Sequence, residues 1–176
     1  MSESFSNRPI LLVEDNPQEA EIVRLYLAKK YTHQYHIEHV RSVSAALARI
    51  ASDRRPDVIL LDMRMPKMSG IEVLKRLRRA GLEMPIVMLT TSTERQDLVG
   101  SLQHGAQGYL LKDMEPDELI CALERIVGGS TVVAKELEPL LDGPGEPQGT
   151  GSERPDLMLA ELTQREGDIL CLLAEG

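Results

Sequence analysis

At 176 residues the chain has room for one complete domain and a fragment of another, at about 100–200 residues per domain. Hydrophobic residues at 42% and charged residues at 27% exclude a wholly disordered or fibrous chain, and aromatics at 3% point to an aliphatic core such as a buried parallel sheet rather than an aromatic-rich sandwich. The formal net charge of −8 is uneven: 17 Lys and Arg face 18 Asp and Glu through Ser130, but 3 face 10 from Thr131 onward, so the chain offers no basic footprint for nucleic acid.

Five short aliphatic runs alternate with amphipathic stretches, the pattern of βαβ units on a parallel sheet. Residues 9–13 form the first predicted strand, followed by a helix over 17–30 that opens on Asn16-Pro17, an N-cap with Pro at the first helical position. The second strand, 35–40, alternates in polarity and suits a sheet edge; a helix over 43–52 follows. The third strand, 58–61, and the fourth, 86–89, are apolar throughout and belong in the middle of the sheet. Between them lies a helix over 70–79, with Gly81 just past it where a left-handed residue is wanted. A helix over 94–104, a fifth strand over 108–111 and a helix opening near Pro116 over 115–127 complete the domain. The expected fold is α/β, a doubly wound five-stranded parallel sheet. Residues 142–155 have linker composition, and 159–174 return to helical spacing with no partner to cover the apolar face.

No apolar run approaches the ~18 residues of a membrane helix, and the first residues lack a signal peptide's basic and apolar regions. A cytoplasmic protein without membrane contact is expected, and with it free thiols at Cys121 and Cys171.

In an open parallel sheet the functional crevice lies outside the carboxyl ends of the strands. The first run ends in Glu14-Asp15, the third in Asp62, the fourth in Thr90-Thr91-Ser92 and the fifth in Lys112-Asp113. Clustered carboxylates repel one another unless a cation neutralises them, and hard oxygen ligands suit Mg²⁺ or Mn²⁺. If one carboxylate attacks a phosphoryl group, a metal and a lysine must screen the charge while a hydroxyl binds a phosphoryl oxygen. Asp62, Lys112 and Thr90 match those roles. Other features have plainer readings. His36 and His39, three apart on a strand, point to opposite faces and do not share an ion with each other, nor readily with His33. Arg76, Arg78 and Arg79 favour the negative end of their helix, and Leu25 and Met88 are expected in the core.

The motifs Leu11-Leu12-Val13-Glu14-Asp15-Asn16, Leu60-Leu61-Asp62-Met63-Arg64-Met65-Pro66-Lys67-Met68-Ser69-Gly70, Leu89-Thr90-Thr91-Ser92 and Gly108-Tyr109-Leu110-Leu111-Lys112 occur in order at βα-unit spacing. Together they resemble the flavodoxin-like receiver domain of bacterial two-component response regulators. The resemblance implies that Asp62 is the phospho-acceptor, that Asp15 is a direct Mg²⁺ ligand, that Glu14 acts through water, and that the Arg64 backbone carbonyl completes a metal shell shared with Asp62. It further implies a switch pair of Thr90 and Tyr109, a phosphate-binding Lys112, and tuning of dephosphorylation by Arg64 and Ser92. Residues 162–176 resemble the opening of a LuxR-type helix-turn-helix domain, as in NarL-like regulators, and Thr163 with Glu166 forms a capping box. The expected organisation is a receiver over 8–130, a linker over 131–157 and the start of a helix-turn-helix domain over 158–176.

The function so implied is a response regulator that takes a phosphoryl group from a sensor histidine kinase onto Asp62 and controls transcription, with homodimerisation on phosphorylation. Promoter DNA is then a partner of a longer protein that includes the recognition helix, not of this fragment. The rival is a receiver that acts only through protein–protein binding. An enzyme is not expected beyond Mg²⁺-dependent self-phosphorylation and self-dephosphorylation: an aspartyl phosphatase would carry a second Asp two residues after the nucleophile, where Arg64 stands.

Overall fold

The computed structural model describes residues 8–31, 35–52 and 55–142. The chain divides into a compact unit Met1–Leu141 and a second unit Asp142–Gly176. Beyond Asp142 the second unit lies outside the described residues, and with it the expected linker composition and helix-turn-helix opening.

The elements are β1 (Arg8–Val13), α1 (Pro17–Tyr31), β2 (Tyr35–Val40), α2 (Val43–Ile50), β3 (Val58–Asp62), β4 (Arg64–Met65), β5 (Met68–Ser69), α3 (Gly70–Arg79), β6 (Ile86–Thr90), α4 (Arg95–Gln103), β7 (Gly108–Leu111), α5 (Pro116–Val127) and β8 (Val132–Val133), with a 3-10 helix at Lys135–Leu140. The main sheet runs in the order β2-β1-β3-β6-β7-β8 with every pairing parallel. From β1 the chain first winds outward to β2 and then crosses back to β3, so the winding reverses between β1 and β3. A crevice opens at that reversal, outside the strand ends.

Side chains alternate across each strand and supply two cores. Leu11, Val13, Ile59, Leu61, Ile86 and Met88 meet α2, α3 and α4 on one face. Ile10, Leu12, Val58, Leu60, Val87 and Leu89 meet α1 and α5 on the other. The unbroken apolar runs of β3 and β6 thus reflect burial on both sides, as expected of central strands. Leu25 departs from expectation: α1 buries Ala20, Val23 and Leu27, and Leu25, two residues from both Val23 and Leu27, turns away and is 59% exposed.

The predicted five strands are joined by a sixth. Val132 N–H donates to the Gln107 carbonyl at 3.0 Å and Ala134 N–H to that of Tyr109 at 2.9 Å, so residues assigned to the linker complete the free edge of β7. A two-residue strand is too short to show a period, which is why patterning missed it. The compact unit continues through the 3-10 helix, where Leu137 is buried.

Local chemistry explains where elements begin and end. Gln18 N–H donates to Asn16 Oδ1 at 3.0 Å and Glu72 N–H to Ser69 Oγ at 3.3 Å, both N-caps. Gly81 adopts the left-handed conformation at φ 78°. Arg78 does more than meet a helix dipole: its guanidinium donates to the carbonyls of Leu82, Met84 and Gly105 at 2.5–3.1 Å, tying the loops after α3 and α4 together. Of the two cysteines expected as free thiols, Cys171 lies outside the described residues.

Gly70 is required by space. A Cβ there would lie 2.5 Å from the Asp62 carbonyl oxygen and 2.8 Å from Met63 Cα, both backbone atoms that cannot step aside. Gly70→Ala should therefore cost about 1–3 kcal/mol in urea unfolding. Gly100→Ala, whose Cβ would meet only Ile71 Cδ1 at 3.4 Å within α4, should instead stabilise by about 0.5–1 kcal/mol.

Candidate functional site

The carboxyl ends of β1, β3, β6 and β7 bring together most of the residues singled out from the sequence. Asp62, the last residue of β3, is 2% exposed. Its Oδ2 accepts the Arg64 backbone N–H at 3.1 Å, and its Oδ1 lies 2.7 Å from Lys112 Nζ. The antiparallel pair β4–β5 directly after it turns the Arg64 side chain out to solvent. Glu14, following β1, is 1% exposed; its Oε1 accepts the Asn16 N–H at 3.0 Å and its Oε2 accepts from Lys112 at 2.8 Å.

Lys112 has a third partner. Glu19, in the first turn of α1, accepts from Lys112 through Oε2 while its Oε1 accepts from Asn16 Nδ2 at 3.2 Å. Glu19 was missed in the sequence. The signal was present, because it stands three residues after the Asn16 cap, the spacing at which a glutamate in the first turn reaches back toward the cap.

These contacts set the electrostatics. Burial pushes the Glu14 carboxyl up, and the Asp62 charge adds to that rise against the opposing Lys112 and Asn16 hydrogen bonds. The hydrogen bond from Lys112 holds Glu19 below its ordinary value. Burial pulls Lys112 down, but its bonds to Asp62, Glu14 and Glu19 outweigh burial and hold the ammonium well above its ordinary value.

Carboxylate oxygens of Glu14, Glu19 and Asp62 lie within 4.8 Å of one another. Hard oxygen donors of this kind suit an ion such as Mg²⁺, and here the Lys112 ammonium lies against all three carboxylates. Asp15 is not in that group; it is half-buried, and its backbone carbonyl accepts from Arg41 Nε at 3.1 Å.

Thr90 ends β6 at 1% exposure, and its Oγ1 accepts the Ser92 N–H at 2.8 Å. Ser92 is also buried, its hydroxyl engaged by Asp97 Oδ2 and by the Glu94 N–H at 3.3 Å each. Tyr109 lies on β7, paired with Met88 on one side and Val133 on the other, and its ring is fully buried. Among the described residues its buried hydroxyl has no partner within hydrogen-bonding geometry, the Thr90 hydroxyl lying nearby. Burial pushes this phenol up to about 12, with the nearby Thr90 hydroxyl opposing and the Asp97 and Glu94 charges reinforcing. The histidines stay apart as expected: His36 is exposed beside Glu38, and His39 Nε2 lies 2.7 Å from the Glu14 carbonyl oxygen. His33 lies outside the described residues.

The family model for the response regulator receiver domain matches residues 10–124. The nitrate/nitrite response regulator protein NarL of Escherichia coli K12 is 42% identical over 127 residues, which cover 72% of this chain and 57% of that protein. A nitrate/nitrite response regulator protein homolog of Haemophilus influenzae is 34% identical over 169 residues, 95% of this chain and 76% of that one. Among solved structures, the chemotaxis response regulator CheY4 of Vibrio cholerae superposes with a TM-score of 0.58 at 32% identity, over 69% of this chain and 99% of that one. A LuxR-family two-component response regulator from Aurantimonas sp. SI85-9A1 shares the fold at a TM-score of 0.67 and 23% identity, over 78% and 96% of the two chains. The chain belongs to the response regulator receiver family, in its NarL-type branch. Its match to Escherichia coli NarL spans little more than half of that relative's length.

Alkaline stability follows from the two raised groups. Tyr109 and Lys112 both hold their protons more tightly when folded than when unfolded. Their contribution is complete below the unfolded values near 10 and is lost as pH rises through the folded ones. Denaturant midpoints should therefore be flat from pH 7 to about 9.5 and fall from pH 10 to 12. Tyr109→Phe should lessen the fall and, by removing an orphaned buried hydroxyl, should gain about 1 kcal/mol at pH 7.

Proposed function

We propose that Asp62 is the phospho-acceptor of a transcription-controlling response regulator. The observation that carries this reading is the Lys112 ammonium, held 2.7 Å from a 2%-exposed Asp62 and 2.8 Å from an equally buried Glu14 at the sheet's switch point. The motif order, the family match and the transcriptional role in relatives' names support it.

In the proposed reaction a carboxylate oxygen of Asp62 attacks the phosphorus of a kinase phosphohistidine. The O–P bond forms as the P–N bond breaks, and the electron pair leaves with the imidazole, which takes up a proton. The product is an acyl phosphate on Asp62. Lys112 donates to the phosphoryl oxygens as charge builds on them, and the Thr90 hydroxyl, whose oxygen already accepts from Ser92 N–H, keeps its own proton to donate. A Mg²⁺ ion held by Glu14, Asp62 and a third carboxylate would offset the charge of acceptor and donor. Asp15 and the Arg64 carbonyl are the further ligands implied by the family pattern. Arg64 and Ser92 flank the acceptor and set how readily water removes the phosphoryl group. Here the Arg64 side chain is exposed, whereas the Ser92 hydroxyl is already engaged. The sensor kinase, phosphorylation-linked dimerisation, promoter binding through a following helix-turn-helix domain and a cytoplasmic location belong to the same proposal. Among the described residues no helix is long and apolar enough to cross a membrane.

The test is intact-mass measurement with acetyl phosphate. One phosphoryl adduct should form with Mg²⁺ or Mn²⁺ and disappear on chelation or in Asp62→Asn; an adduct that persists in that variant would exclude Asp62.

The switch pair of Thr90 and Tyr109 would relay the arrival of the phosphoryl group. The Tyr109 ring is already fully buried, so its burial is not the movement that phosphorylation triggers. What can change is the pairing of its orphaned hydroxyl and of the β8 segment bonded to its carbonyl. A single charge-assisted hydrogen bond of about 1.5–3 kcal/mol biases two states tenfold to hundredfold. Thr90→Ala should keep adduct formation at Asp62 and lose most phosphorylation-linked dimerisation, as read by sedimentation.

A further inference from the structure

Lys112 already has three carboxylates around it, and that sets a condition on the proposed chemistry. It hydrogen-bonds Glu14 and Glu19 and pairs with Asp62 at 2.7 Å, and its side chain is 12% exposed. An incoming phosphoryl oxygen must compete with one of these partners for the ammonium.

The three partners differ in their freedom to leave. Asp62 is the acceptor itself and is buried at the end of a central strand. Glu14 is equally buried and held by the Asn16 backbone N–H. The Glu19 side chain is 45% exposed, stands on the first turn of α1, and among the described residues is steadied otherwise by Asn16 Nδ2. A glutamate so placed can exchange its protein bonds for water more cheaply than the buried Glu14 or Asp62 can.

We infer that Glu19 is a positioning residue that occupies Lys112 in the unphosphorylated protein and must detach before Lys112 can bind the phosphoryl group. Glu19 is thus a built-in competitor of the phosphodonor. It keeps the ammonium aimed at the acceptor while the site is idle, and it slows acceptance by the cost of its release. Asn16, which caps α1 and grips the other Glu19 oxygen, sets the carboxylate at that reach. This inference rests on the phospho-acceptor reading above.

The test uses acetyl phosphate at saturating Mg²⁺, where the Asp62 oxygen attacks phosphorus and acetate leaves with the electron pair of the broken P–O bond. Initial rates of adduct formation are followed by intact mass across a range of acetyl phosphate concentrations. Glu19→Gln keeps a first-turn hydrogen-bonding residue and the helix. It should raise the rate at limiting acetyl phosphate about two- to fivefold, through a lower half-saturating concentration, with an unchanged thermal midpoint. A structural defect would slow acceptance, so the gain separates the two explanations. Glu19→Asp keeps the charge but loses the reach, and it should behave like Glu19→Gln. An unchanged or slower rate in Glu19→Gln would overturn the assignment, as would wild-type behaviour in Glu19→Asp, since charge without contact would then suffice. Failure of the wild-type protein to form any adduct would instead overturn the phospho-acceptor reading itself.

Discussion

One ammonium shared among three carboxylates organises the carboxyl edge of the sheet. Glu14 and Asp62 are almost wholly removed from water, a state that is costly for an isolated anion and tolerable only beside a cation with its hydrogen bonds made. Lys112 supplies that cation, and in return the carboxylates keep it charged despite its own burial. Removing the lysine would leave two buried anions facing each other; removing either buried acid would leave the ammonium under-partnered. The positions of β1, β3 and β7 relative to one another are therefore tied to this cluster as well as to the aliphatic cores.

The scaffold behind the cluster works by exclusion. Central strands with apolar residues on both faces can only lie between two helical layers, and the winding reversal between β1 and β3 then fixes where their ends open. Gly70 lets the start of α3 press against the backbone of Asp62 and Met63, and Gly70 N–H donates to the Met63 carbonyl at 2.9 Å. Asp62 thus sits on a backbone held from both ends of the β4–β5 turn, the rigidity that the proposed nucleophile requires.

The far edge of the sheet is joined to the neighbourhood of Thr90 by packing and hydrogen bonds. Tyr109 joins Thr90's neighbourhood to β8, because its carbonyl accepts the Ala134 N–H and its ring shares a core with Leu98 and Leu137. The Arg95 guanidinium adds a bond to the Leu140 carbonyl at 2.8 Å, linking the start of α4 to the 3-10 helix. Packed and hydrogen-bonded neighbours thus connect the end of β6 with residues 132–140.

Much of this was legible in the residues. The central strands showed as continuous aliphatic runs, the wetter edge strand as an alternating one, and the acceptor, lysine and hydroxyl as the residues on which those runs end, because strand polarity and strand ends are local properties of the chain. The caps at Asn16 and Ser69 and the left-handed Gly81 are local in the same way. What the tertiary structure decided was every matter of reach. Glu19 joins Glu14 and Asp62 around Lys112 because α1 turns its first-turn side chain back over the ammonium. Arg78 ties two loops because they close around it, Leu25 faces water because α1 buries a narrow stripe, and a two-residue strand forms because β7 offers a free edge. These outcomes depend on distances between segments far apart in the chain, and no spacing or periodicity within one segment encodes such a distance.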